Sequence, residues 1–218
     1  MTEENIVGRE LIVQLTQARI SIQAVVIEKS PRAEREKEYL KNDFYQPPFV
    51  AETLKNFPAE VFNTSNLNSD ESVQKLRALG PDLILLDGSV IIKPPVIASA
   101  KNGAINSHPG LLPEYRGVDS VRWSIYNNDS IGATCHFIDQ GLDTGPILIR
   151  KPLTYTRDET LLKIRVRVMR ACVEIMVEAV QGLIAGTLKA APQPKEGRYY
   201  SWAPPEVKAR VDAMLAQK

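Results

Sequence analysis

Between two acids, Asp82 and Asp87, the chain carries four consecutive apolar residues, Leu83-Ile84-Leu85-Leu86, and Gly88 closes the run. A strand with one wet face alternates apolar and polar residues, so an unbroken run this short reads as a strand buried on both faces. Ile22-Gln23-Ala24-Val25-Val26-Ile27 is a second such run, β-branched and stopped by Pro31. Helical spacing fills the intervals. Val7, Leu11, Ile12 and Leu15 mark a helix from Val7 to Ala18, and Ser69 caps another that reaches Leu79 before Gly80-Pro81 ends it. The charged stretch from Pro31 to Lys41 reads as an exposed helix, Gln46-Pro47-Pro48 as a break and Glu60 to Asn63 as a weak strand. Helices between buried strands predict an α/β fold with a parallel sheet covered on both faces. Ligands in such sheets bind beyond the carboxyl ends of the strands, which directs attention to the loops after Leu86 and after Ile105.

A chain of 218 residues is long enough for one large domain with a continuous core. Its 27 basic and 26 acidic residues leave a net charge of +1, so no basic excess points to DNA or an anionic membrane. Two cysteines, Cys135 and Cys172, make no disulfide framework and suit a reducing compartment. No apolar run approaches the roughly 18 residues of a membrane span, and Met1-Thr2-Glu3-Glu4-Asn5 has none of the marks of a signal peptide. These features predict a soluble, cytoplasmic protein. A long helix is expected from about Thr160 to Leu183, with Leu161, Ile164, Val168, Cys172, Ile175, Ala179 and Leu183 on its buried stripe. Lys163, Arg167 and Arg170 then form a solvated face. The segment from Pro192 to Pro205 reads as irregular structure wrapping the core before a short terminal helix.

The chemistry-bearing residues fall in two places. Asn106 and His108 lie two apart at the end of an expected strand, so they share a face, and Pro109 keeps His108 extended. An Asn amide can donate to a developing oxyanion and a His can exchange a proton near neutral pH. The alternative is a strand end with two incidental polar residues. Farther on, Ile138-Asp139-Gln140-Gly141-Leu142-Asp143-Thr144-Gly145-Pro146 packs two acids and two glycines into one loop. An acid there can orient His108 and favour its protonated form, or the loop is a plain turn with solvated acids. A calcium loop would need more oxygen ligands at the required spacing. A zinc site fares worse, because Cys135 and His136 are adjacent and point to opposite faces of a strand. No Gly-x-Ser-x-Gly supports a serine hydrolase.

The run Asn106-Ser107-His108-Pro109-Gly110-Leu111-Leu112-Pro113-Glu114-Tyr115-Arg116-Gly117, then Trp123, then the loop from Asp139 to Pro146, resembles the folate-dependent formyltransferase family. The resemblance covers about Ile22 to Leu153. It implies a Rossmann-like, mostly parallel sheet with helices on both faces, and transfer of a formyl group from 10-formyltetrahydrofolate to an amine. The family's catalytic Asn, His and Asp fall on Asn106, His108 and Asp143. Asn106 and protonated His108 would hold the oxyanion, while Asp143 would raise the pKa of His108 and fix its tautomer. Thr134 would hydrogen-bond within the site, and His136 is read as a structural strand residue. The folate would be bound by Leu86, Gly88, Val90, Ile91, Ile92, Ile138, Asp139, Gly141 and Asp143, with no metal. Core packing is the competing reading of Val90 to Ile92.

Members of the family begin with an apolar strand and a short polar or glycine-rich turn. Here the helix is expected almost at once, near Val7, with the first strand missing. That would expose neighbouring strand edges unless upstream chain or another subunit fills the gap, and it argues against the ribonucleotide acceptor. The domain that the tRNA-using branch adds is also not expected after Leu188. Residues 1–190 are therefore read as the catalytic domain and 191–218 as a tail with a short helix packed on it. The implied partner is a small-molecule amine, such as an amino sugar on a nucleotide. A membrane has no part in this reading; nucleic acid is disfavoured with tRNA left open, and a homo-oligomer is allowed. The alternatives are a formyltetrahydrofolate hydrolase and a non-catalytic folate-binding or scaffold protein.

Overall fold

The chain forms two units, Met1–Asn106 and Ser107–Lys218, and both buried apolar runs become strands of the first. A computed structural model describes residues 2–3, 6–29, 54–55, 57–87 and 91–216. The expected charged helix after Pro31, the break at Gln46-Pro47-Pro48, and Gly88 and Val90 lie outside these residues.

The first unit runs β1 (Thr2–Glu3), α1 (Ile6–Gln17), β2 (Ala24–Glu28), β3 (Glu60–Thr64), α2 (Asp70–Leu79), β4 (Ile84–Leu86), α3 (Pro94–Ile97) and most of β5 (Ala104–His108). β1, β2 and β3 form a parallel sheet, with Val25 opposite Val61 and Val26 opposite Phe62. Ile12 of α1 packs with Val25, Ile27 and Leu54 as a core flanked by Ile22 and Phe57. α2 is capped as its sequence requires. Ser69 Oγ accepts from the Ser72 N–H, and Gly80, at φ 55°, donates its N–H to Leu76 O. β4 pairs in parallel with β5 and sets Leu86 opposite Asn106.

β1 corrects the expectation of a missing first strand. Thr2 and Glu3 lie parallel to β2, opposite Ile27 and Glu28, ahead of α1. Two residues carry no readable periodicity, so their strand character comes from backbone pairing with β2 rather than from side-chain pattern.

The second unit takes up the end of β5 and continues with β6 (Arg116–Gly117), α4 (Ser120–Tyr126), β7 (Ile131–Phe137), β8 (Ile147–Leu153), α5 (Leu161–Ile184), β9 (Tyr199–Tyr200) and α6 (Pro205–Leu215). β7 and β8 are antiparallel, so the sheet is mixed here, with an irregular register between Cys135 and His136. α5 packs on both strands. It buries Ile164, Val168, Cys172, Ile175 and Ala179 and leaves Lys163 and Arg170 exposed. Ser107 Oγ donates to Cys172 O at 2.8 Å, fixing the end of β5 to that helix. Among the described residues no helix is long and apolar enough to cross a membrane.

The segment expected to be irregular contains a strand. β9 pairs in parallel with β6, Tyr199 opposite Arg116 and Tyr200 opposite Gly117. Gly117 is at φ 95°, and a Cβ there would stand 2.2 Å from Tyr200 O, so only glycine admits this approach. Tyr200 stacks on Tyr115 at 5.2 Å, and the Trp123 indole N–H donates to Ser201 O at 2.8 Å. Asp119, ahead of α4, has a fully buried carboxylate that takes Arg122 at 2.7 Å, Arg165, and the Ala203 N–H at 3.4 Å.

Candidate functional site

β5 delivers His108 into the second unit with its ring 4% exposed. Gly110 turns the chain directly over that ring, and a Cβ there would meet His108 Nε2 at 2.8 Å. His108 Nε2 lies 2.6 Å from Tyr115 O and 3.1 Å from Ser120 Oγ. A carbonyl oxygen only accepts, so Nε2 carries the hydrogen in the neutral ring. Ser120 Oγ in turn donates to Tyr115 O at 3.3 Å. The tautomer is therefore held by the Tyr115 carbonyl, not by Asp143 as expected. Nδ1 is left to take up and release the proton. It faces Asp143 Oδ2 at 3.6 Å, an ion-pair distance that is longer than a committed hydrogen bond.

Asp143 occupies the αL region at φ 54°, which aspartate tolerates better than most residues. Its Oδ2 accepts the Gly117 N–H at 2.8 Å, and its Oδ1 stands 3.7 Å from His136 Nε2. The chain's two histidines thus face the two oxygens of one carboxylate. His136 Nδ1 lies 2.8 Å from Phe137 O, so its hydrogen sits there and Nε2 turns to Asp143. Burial pushes the His136 imidazole below its ordinary value, and Asp143 pulls it back up against that. A cationic His108 lowers it further.

The surroundings fix the loops that carry these groups. Thr134 Oγ1, on β7 beneath the 110–112 turn, donates to Gly110 O at 2.7 Å and accepts from the Leu112 N–H at 3.1 Å. Its expected hydrogen bonding is in place, with two backbone groups as partners. Asp139 Oδ1 accepts from Gly141 N at 3.0 Å and Thr144 Oγ1 at 2.6 Å, so that carboxylate closes its own turn. Ile138 is half-buried, Gly141 is exposed, and Leu142 keeps 45% of its surface in water.

In the first unit, Asn106 is half-buried on β5, two residues before His108 and opposite Leu86, which is buried. Ile92 is buried and Ile91 is 70% exposed. Asn68 brackets them: its Nδ2 donates to Ile91 O at 2.9 Å and its Oδ1 accepts from Lys93 N at 2.7 Å.

Sequence reasoning missed Tyr115, Gly117, Ser120, Asn68 and Gln193, and it read His136 as structural. Tyr115 and Gly117 lay inside the run from Asn106 to Gly117 without a role of their own, and His136 carried a separate signal: it is the one other histidine, two residues after Thr134 on the strand that enters the acidic loop. Among the described residues no group of three or more His, Cys, Asp or Glu is arranged to hold a metal ion. Cys135 and Cys172 are buried and not joined in a disulfide, and burial pushes the Cys135 thiol well above its ordinary range.

Residues 2–180 match the family model described as formyl transferase. A methionyl-tRNA formyltransferase of Desulfotalea psychrophila is 35% identical over 135 residues, which are 61% of this chain and 42% of that protein. Another from Methylacidiphilum infernorum is 30% identical over 177 residues, 80% of this chain and 53% of the relative. The chain thus spans about half the length of the curated relatives it matches. Among solved structures, the formyltransferase PseJ from Anoxybacillus kamchatkensis, in complex with UDP-4,6-dideoxy-4-formamido-L-AltNAc and tetrahydrofolate, superposes with a TM-score of 0.59. It is 26% identical, with 83% of this chain and 86% of that one covered. Phosphoribosylglycinamide formyltransferase from Bacillus Halodurans shares the fold at a TM-score of 0.67 and 21% identity, covering 84% and 93% of the two chains.

Proposed function

The chain belongs to the formyl transferase family, and from that premise we propose that it moves the formyl group of 10-formyltetrahydrofolate to the primary amine of a small molecule in the cytoplasm. The observation that carries this reading is the His108 ring. Nε2 is committed to the Tyr115 carbonyl, and Nδ1 faces a carboxylate that the Gly117 N–H holds in place. Attack of the amine on the formyl carbon makes a tetrahedral centre with a negatively charged oxygen. The Asn106 side-chain amide and the Nδ1–H of protonated His108 donate to that oxygen. His108 then gives a proton to the leaving nitrogen of the folate as its bond to the formyl carbon breaks. The amine's own proton returns to Nδ1, which lies beside Asp143 Oδ2 throughout. The 3.6 Å between Nδ1 and Oδ2 suits this role, because a tighter bond would keep the proton between the two side chains.

For the donor, the buried Leu86 and Ile92 supply apolar surface, and the Asn68-bracketed backbone at Ile91 supplies hydrogen-bonding groups. Gly88 and Val90 belong to the same proposed set, as do Ile138, Asp139, Gly141 and Asp143. A flat heterocycle needs such surfaces more than it needs charge. Support for a folate donor comes from PseJ, whose structure holds tetrahydrofolate. Support for an amino sugar nucleotide as acceptor comes from the sugar nucleotide in that same complex.

The test is turnover of 10-formyltetrahydrofolate with amino sugar nucleotides, glycinamide ribonucleotide, methionyl-tRNA or no acceptor. Release of tetrahydrofolate only with an amino sugar nucleotide is the expected result. Release without any acceptor would make the chain a hydrolase, and saturable folate binding without release would make it a non-catalytic binder. Turnover only with methionyl-tRNA would overturn the small-molecule acceptor.

A further inference from the structure

Two residues beyond the contact of Ala191 with Ile147, Gln193 reaches the turn that carries Asp143. Ile147 and Ala191 exchange backbone hydrogen bonds at 2.7 and 2.8 Å, which brings the start of the tail against the start of β8. The Gln193 side-chain amide then donates to Asp143 O at 3.0 Å and to Gly145 O at 2.6 Å. Its oxygen accepts from Arg116 Nη2 at 3.1 Å, and the same nitrogen donates to Pro194 O at 3.1 Å. Arg116 is buried, its Nε has no hydrogen-bond partner among the described residues, and its guanidinium lies over the Tyr199 ring at 5.5 Å. One amide therefore joins a buried cation to both carbonyls of a turn held in an uncommon conformation.

We infer that Gln193 is a positioning residue: its two donated hydrogen bonds hold the 143–145 turn so that the Asp143 carboxylate faces His108 and His136. This rests on the reading of Asp143 as the partner of a catalytic His108. A non-glycine residue at φ 54° persists only where its surroundings over-determine it, and the Asp143 carbonyl is fixed by Gln193 while its carboxylate is fixed by Gly117. Gly117 belongs to β6, whose Arg116 N–H donates to Arg198 O of the tail at 3.0 Å, and Gln193 lies on that same tail. The tail keeps other attachments without Gln193: the β6–β9 pairing, the Tyr115–Tyr200 stack and the Trp123 bond to Ser201 O. Loss of the Gln193 donors should therefore loosen the turn without releasing the tail.

The experiment compares Gln193→Glu with Gln193→Met in the full chain. Gln193→Glu keeps an acceptor for Arg116 but can no longer donate to either carbonyl; Gln193→Met removes both functions. The expected result is a kcat lowered by about 10- to 100-fold in Gln193→Glu, with the thermal midpoint near parental, because a misplaced catalytic geometry costs up to about 100-fold. Alongside, 15N spectra of the two histidine rings should shift in both variants, a readout that needs no acceptor. Parental kcat together with parental ring spectra in Gln193→Glu would overturn the inference and leave Gln193 as a partner of Arg116 alone. Failure of the underlying reading looks different: Asp143→Asn would keep parental turnover whatever the Gln193 variants do.

Discussion

Asp119 and Asp143 both sit in the second unit at positive φ, 58° and 54°, and both turn a carboxylate toward two basic side chains. The tail touches each of them, through Ala203 N at Asp119 and through Gln193 at the Asp143 carbonyl. Their partners differ in kind. The Asp119 side chain is fully buried and hydrogen-bonded to Arg122 and Arg165, whose charge is permanent. Asp143 is 12% exposed and stands 3.6 and 3.7 Å from two imidazoles, rings that a single proton separates from charge. Short contacts to fixed charges make a structural clamp. Longer contacts to titratable rings leave a proton free to move. Two aspartates with one backbone conformation are thus set to different work by what faces them.

The largest effect should come from breaking the clamp. Asp119→Ala strands Arg122 and Arg165, and removing one member of a buried ion pair costs about 3–5 kcal/mol. The lower part of that range is expected because the Arg165 side chain keeps 24% of its surface in water. Chemical denaturation measures it, and a loss below about 1 kcal/mol would mean the clamp contributes little.

Next in size are changes at the two proposed oxyanion donors, which should read in rate and not in folding. His108→Ala and Asn106→Ala should each lower turnover by about 100- to 1000-fold, the usual cost of one oxyanion donor. Circular dichroism and the denaturation midpoint should stay near parental, in contrast to Asp119→Ala. Near-parental turnover in either variant would remove that residue from the proposed mechanism.

A smaller effect should separate the two regions through β7. Thr134→Val keeps the shape but leaves the buried Gly110 carbonyl and Leu112 N–H without their partner. Each unsatisfied buried group costs about 1–3 kcal/mol. Stability and turnover should fall together, since the same turn covers the His108 ring. A fall in stability alone would show that the ring holds its place without that turn.

How far these regions were legible follows from which interactions leave a trace in sequence. Leu83 to Leu86 and Val25 to Ile27 announced strands because burial on both faces demands continuous apolar runs. Ser69 and Gly80 announced helix ends because capping is local. His108 and Asp143 were legible as a pair through the long motif that carries them. Thr2–Glu3 and Tyr199–Tyr200 were not, because strands of two residues exist only by pairing with a partner distant in sequence. Gln193 was illegible for the same reason: it contacts a turn 48 and 50 residues away in the chain, and nothing local marks it. Asp119 looked like a helix-flanking acid, and only packing brought Arg165 to it.

The smallest effect concerns pH, and it sharpens the contrast between imidazole and guanidinium. Burial lowers the His136 pKa below its ordinary value of 6.5, so in the window just below 6.5 the unfolded chain binds more protons than the folded one. Stability then rises with pH through that window. The contribution of neutral His136 is complete above 6.5 and is lost as pH falls toward the lowered value. One proton limits the slope to about 1.4 kcal/mol per pH unit. The Asp119 clamp adds no such slope through its partners, because both arginines stay charged throughout. Denaturation midpoints of the parent and of His136→Asn, measured from pH 7.5 to 5, should therefore diverge. The parent should lose more stability on acidification, while the asparagine amide can still donate to Phe137 O in place of Nδ1. Parallel curves would mean that Asp143 fully offsets the cost of burying the His136 cation, and the second histidine would then be a fixed partner of the carboxylate like the arginines of Asp119.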